Sequence, residues 1–377
     1  MPHMRKLNCL FLCLGLSTSA MAFDGLAILG DSSSTAAGTH PRLQFDAKVL
    51  WDAFNGTLDL SVKRSMLPED FRSLVEENPM PPTRVGPSSR ENDGGSGWIW
   101  HNVTQRISAQ TIEAHSLSYG YLVGRKLGLA PVDILIAGEN GTTARHAWLH
   151  AARLVGARNK DLPSRVVFFY TGNDLCAQTY DDITEAEDYG EELLKGLKYL
   201  VLNGHSAVQG TKIYIPGYLP VTSLLHDPTI LAKKIQLHGE EVSCKEARDR
   251  LFAPKNPPVI TKEESMDPRF AAFSAVMPPS PVLFCPTLFS KSAEDSARQS
   301  MMANRIRAYR DIQRKTVDEF NRWRGEKFPA RSFEAAYVEA TEFIKFEGDD
   351  VAGDCFHLSP IGQGKIARAL LTGMQSK

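Results

Sequence analysis

The run "AILGDSSSTAAG" (27–38) ends an apolar stretch in Gly30-Asp31 and follows it with Ser32, Ser33 and Ser34. Near the other end, "GDCFHLSPIGQG" places Asp354 three residues before His357. Between them lie two small-residue turns: "GENGTTA", with Gly138, Asn140 and Gly141, and "TGNDLC", with Gly172, Asn173 and Asp174. A serine hydroxyl is a poor nucleophile until a neighbouring base takes its proton, and histidine suits that task at neutral pH. The imidazole needs an acceptor on its second nitrogen, which an Asp three residues away on a tight turn can supply. A tetrahedral intermediate needs donors placed in advance. Ser32, Gly141 and Asn173 can provide them as backbone N–H groups and a side-chain amide. Taken singly, each motif has a plainer explanation: Gly-Asp-Ser is a common turn, and Asp-x-x-His is often a surface turn with a capping Asp. His146 and His150, four apart in a helical stretch, could nominally ligate a metal, but no third ligand is evident and a packing role is expected.

These motifs need elements that bring them together. Apolar runs at 25–29, 132–137, 165–170, 211–217 and 333–340 read as strands, with helical stretches between them. The helix "EELLKGLKYLVLNG" closes on Gly204. Strands alternating with helices predict a parallel sheet covered on both faces, where ligands bind beyond the carboxyl ends of the strands. The turns above follow the first three of these runs, and the Asp354–His357 turn precedes the last helix. Apolar residues at three- and four-residue spacing predict a long helix from about Ala293 to Trp323. Residues 56–104 and 238–280 break the alternation and are expected to be insertions that shape a cleft. "GWIW" (97–100) is available in the first to line an acyl groove or to anchor the loop.

The chain of 377 residues is 42% hydrophobic and 23% charged with a net charge of -1, which argues against a nucleic-acid binder. Arg5 and Lys6, the apolar "LNCLFLCLGL" and the small residues of "AMA" (20–22) predict a signal peptide over 1–22. The mature chain, 23–377, is expected to be a single domain, secreted or periplasmic, since no later run approaches the roughly 18 apolar residues of a membrane span. Cys176, Cys244, Cys285 and Cys355 follow the leader, and two disulfides among them allow three pairings. Cys176 is expected to pair with Cys244 or Cys285, and a bridge from Cys176 or Cys355 would hold a loop of the site. Sequons occur at Asn55, Asn102 and Asn140. The acidic run "TYDDITEAEDYGEE" (179–192) is expected to be a solvated helix start.

The ordered set of four turns resembles the SGNH (GDSL) hydrolase superfamily, named for the Ser, Gly, Asn and His of its blocks. The resemblance implies an α/β fold, the three-layer α/β/α flavodoxin-like arrangement with a five-stranded parallel sheet. Position by position, it implies Ser32 as nucleophile, Gly141 and Asn173 as oxyanion donors beside the Ser32 N–H, His357 as general base and Asp354 as its partner. Gly138 is the second choice to Gly141, because "NGTTA" is similar to the family's turn with a helix directly behind it. No metal or organic cofactor is implied. "GNDLC" and "DCFHLS" look like phospholipase B-like members, and "GNDLC", "YIPGYLP" and the block spacing look like acyloxyacyl hydrolases. These likenesses imply an acyl-ester lipid substrate with peripheral lipid contact. The alternatives are a carbohydrate O-acetyl esterase, or an inactive binding protein on the same fold, disfavoured because no catalytic residue is missing.

Overall fold

The computed structural model describes residues 24–43, 47–54, 57–76, 79–85, 114–177, 180–237, 240–249, 285–289 and 296–375. The expected signal peptide (1–22), "GWIW", Asn55, Asn102 and most of 238–280 lie outside the described residues. The central sheet holds β1 (Leu26–Gly30), β2 (Thr83–Arg84), β3 (Ile134–Ile136), β4 (Arg165–Phe169) and β5 (Thr211–Pro216). A hairpin of β6 (Lys234–Leu237) and β7 (Glu240–Ser243) stands apart as a two-stranded antiparallel sheet, and β8 (Phe333–Val338) returns to the central one. The order is β2-β3-β1-β4-β5-β8, parallel throughout. Setting β2 aside, the remaining five follow the flavodoxin-like order, in which the chain reverses direction across the sheet beside β1.

The expectation of five strands is corrected to six. The sixth, β2, pairs Thr83 and Arg84 with Leu135 and Ile136. Two residues behind Pro81 and Pro82 carry no periodicity, so only the tertiary pairing reveals them. The described part of 56–104 is also more than surface, because Leu67, Phe71, Val75 and Val85 join the main core.

Two helical layers cover the sheet. Helix α1 (Ser32–Thr35) is a single turn after β1, and α2 (Tyr119–Lys126) packs with the last helix, α6 (Pro360–Gln375), on one face. Helices α3 (Ala147–Ala157), α4 (Ala186–Asn203) and α5 (Ser296–Lys327) pack together on the other. Covered on both sides, β1 is buried along its whole length, which is why it reads as an unbroken apolar run rather than an alternating one. Each fully buried Leu, Ile or Phe of this core contributes about 1.5–3 kcal/mol. Helix α5 buries Met302, Ile306, Tyr309, Gln313, Val317 and Phe320 at three- and four-residue spacing. It runs one turn past the expected end to Lys327, and the Phe328-Pro329 step stops it. Among the described residues no helix is long and apolar enough to cross a membrane.

Candidate functional site

The carboxyl ends of β1 and β4, beside the reversal of strand order, meet the Asp354–His357 turn in one cleft. It is lined by Asp31, Ser32, Ser33, Thr171, Gly172, Asn173 and His357 together with Leu219, Val221, Leu224, Phe346, Phe356 and Leu358. Ser32 therefore shares a cleft with His357 and Asn173, although 325 positions separate Ser32 from His357 in the chain (357 less 32).

Local chemistry fixes each piece. Asp31 is the N-cap of α1, its carboxylate accepting from the Ser33 N–H at 2.9 Å. The Ser32 carbonyl accepts from Ala37 N at 3.0 Å and from Thr35 Oγ1 at 3.1 Å, closing the turn. Ser34 does more than extend that turn: its hydroxyl meets Tyr119 Oη at 2.7 Å on α2. Gln363 ties the same turn to α6, donating to the Ser33 carbonyl at 3.1 Å and accepting from Tyr119 N at 2.9 Å.

His357 Nδ1 and Asp354 Oδ2 are 2.6 Å apart, while Asp354 Oδ1 accepts from the N–H groups of Phe356 at 3.0 Å and His357 at 2.9 Å. Burial pushes the Asp354 carboxyl up, but the His357 charge, the ring hydrogen bond and the two N–H donors outweigh it and hold it below the ordinary carboxylate value. With Nδ1 held by Asp354, proton traffic falls to Nε2. This arrangement can run general-base chemistry on a hydroxyl in the cleft.

Asn173 opens the turn after β4, and its side-chain amide donates to the Thr142 carbonyl at 3.0 Å, with a second N–H available to an amide of this type. Gly141, next to Thr142, has φ 77°, a left-handed conformation that favours glycine. Neither Gly141 nor Gly138 is among the residues lining the cleft. A Cβ on Gly138 would lie 2.8 Å from Ser34 Cβ and 3.0 Å from the Gly30 carbonyl, so this glycine permits close packing behind the serine turn. Asn140 accepts from Thr35 Oγ1 at 2.6 Å, linking the second turn to the first. Glu139 anchors the second turn through Arg153 at 2.7 Å and His150 at 3.7 Å. His150 is buried with Nδ1 2.7 Å from Tyr170 Oη, so it packs, as expected.

The disulfides are Cys176–Cys285 and Cys244–Cys355. The first joins the Asn173 turn to the segment ahead of α5, and the second lies inside the Asp354–His357 turn.

Two buried carboxyls, Asp31 and Asp174, flank the site, and nothing local in their turns marks them as buried. Asp174 accepts from Ala144 N at 3.1 Å and ties the third turn to the second. Burial pushes Asp174 up to about 7, against the Ala144 hydrogen bond and with the Asp31 charge adding to the rise. Burial likewise raises Asp31 to about 6, opposed by hydrogen bonds to Ser33 and Thr171 and by the His357 charge. Because the fold favours the protonated acids, both contribute stability that is fully present below the unfolded value of 3.8 and lost as pH rises through about 6 and about 7. Asp174→Asn keeps an acceptor for Ala144 N and removes the charge. Its melting temperature should exceed that of wild type at pH 8 by about 2 °C or more and match it near pH 4. An equal difference at both pH values would contradict the assignment.

No family model and no curated protein matches the chain. Among solved structures, a Clostridium thermocellum family 3 carbohydrate esterase aligns with 78% of this chain and 94% of its own, at 14% identity and a TM-score of 0.32.

Proposed function

We propose that the protein is a serine ester hydrolase that deacylates lipid esters through an acyl-enzyme on Ser32. The observation supporting this is the cleft, in which a serine turn, an Asn amide and an Asp-paired histidine share space with an apolar wall. Ser32 Oγ attacks the ester carbonyl as His357 Nε2 takes the hydroxyl proton. The oxyanion is stabilised by the Ser32 N–H and the Asn173 amide, donors from residues that line the cleft. Collapse breaks the ester C–O bond, and the imidazolium returns its proton to the departing alcohol. Water, deprotonated by His357, then attacks the acyl-enzyme and releases the acid. Asp354 stays ionised throughout and fixes the ring tautomer.

The lipid assignment rests on Leu219, Val221, Leu224, Phe346, Phe356 and Leu358, which surround the site with aliphatic and aromatic surface. Such a wall suits the acyl side of an ester better than a sugar ring, which needs polar partners. With an expected leader and two disulfides, the protein fits an oxidising, extracytoplasmic compartment.

The test is a product assay on phospholipid, lysophospholipid, lipopolysaccharide and an acetylated sugar. Long-chain fatty acid should be released from at least one lipid. Acetate from the sugar with no long-chain acid would replace the lipid reading with a carbohydrate O-acetyl esterase.

A further inference from the structure

Cys355 sits between Asp354 and His357 with φ 61°, a left-handed conformation that non-glycine residues hold only when their surroundings enforce it. Two contacts from one arm of the chain do so. Its sulfur is bonded to Cys244, directly after the β6–β7 hairpin. Cys244 N donates to the carbonyl of Lys233, and Lys233 Nζ donates to the carbonyls of Gly348 (3.0 Å) and Val351. Val351 is where the turn closes: it bridges to Leu358, and Ala352 N donates to the His357 carbonyl at 2.7 Å. The arm thus grips the turn at its base through an ammonium and at its tip through a disulfide.

The packing agrees. Ile235, Leu237, Val242, Cys244 and Ala247 form a small apolar cluster separate from the main core, and its one further member is Cys355. Gly38, at φ 67°, lies against the pair itself. A Cβ there would lie 2.9 Å from Asp354 Oδ2 and 3.0 Å from His357 Nδ1. The chain behind Ser32 therefore abuts the pair, and the arm holds the turn that carries it.

We propose that residues 233–237 and 240–244 act as a positioning clamp, in which Lys233 and the Cys244–Cys355 disulfide hold in place the turn that carries the Asp354–His357 pair beside Gly38. The clamp rests on the reading of that pair as the proton relay, and it touches no substrate. Its residues should govern turnover rather than substrate binding, since a small misplacement of a relay is felt in the chemical step.

The test uses the full mature protein and a chromogenic ester, with rates expressed per active site titrated by a fluorophosphonate. Lys233→Met and the double variant Cys244→Ala/Cys355→Ala should each lower kcat about 10- to 100-fold with KM within twofold of wild type. Lys233→Arg, which keeps the charge and the donors, should recover kcat to within about threefold of wild type. Lys233→Met leaves the disulfide intact, so it decides the matter if the double variant does not fold. Unchanged kcat per titrated site in Lys233→Met, with only a lowered melting temperature, would overturn the clamp and make the arm purely structural. A wild-type protein that hydrolyses no ester and takes no fluorophosphonate would overturn the esterase reading itself, which is a different result.

Discussion

Replacing Ser32 with alanine should lower kcat/KM for ester hydrolysis by about 10,000-fold or more while the fold persists. The size of the effect follows from the proposed chemistry: without the hydroxyl no acyl-enzyme can form, and only the oxyanion donors and binding remain. Persistence of the fold follows from the local structure. The serine turn is held by the Asp31 cap, the Ser32 carbonyl, Ser34 with Tyr119, and Gln363, none of which needs the Ser32 side chain. Circular dichroism should overlay that of wild type. More than about a tenth of the wild-type rate in a folded Ser32→Ala protein would place the nucleophile elsewhere.

Asp354→Asn should lower kcat by about 10,000-fold with a much smaller change in KM. The carboxylate accepts from three groups: the imidazole through one oxygen and the N–H groups of Phe356 and His357 through the other. An amide can keep its oxygen on the two backbone donors, so the turn survives. Its NH₂ then faces His357 Nδ1, which must become an acceptor, and the ring proton moves to Nε2, where it blocks general-base action. The His357 charge helps hold the Asp354 carboxyl below the ordinary value, and an uncharged amide forfeits that attraction in the imidazolium state as well as the tautomer. Steady-state kinetics across pH 5–9 check this, and a loss below tenfold would remove Asp354 from the relay.

Much of this architecture was legible in the chain. Strands β1, β3 and β4 could be read because a parallel strand buried on both faces needs a near-continuous apolar run, and β5 and β8 through the apolar residues that follow Lys212 and Glu334. The first three turns stood out for the same reason, since each follows such a run. What escaped was whatever depends on distant partners. Strand β2 is two residues long and exists only through its pairing with β3. The β6–β7 hairpin alternates Ile235 and Leu237 with Lys234 and Gln236, a period-2 signal obscured by its charge and its place next to an irregular segment. Gln363 lay in plain view in "PIGQG", yet nothing local says that its amide reaches Ser33 and Tyr119. Lys233 and Gly38 are likewise ordinary residues until the turn carrying Asp354 folds against them. Cys285 is one of the two partners expected for Cys176, and Cys244–Cys355 is the bridge that this choice leaves; which of the two holds is decided by the fold.

The central claim is that Ser32 is a nucleophile activated by His357. Its most direct test is mass spectrometry of the mature protein after reaction with a fluorophosphonate, with peptide mapping of the adduct. One phosphonyl group per chain is expected, on Ser32, with no adduct in His357→Ala over the same time. A label on another residue, or none on a folded wild-type protein, would contradict it.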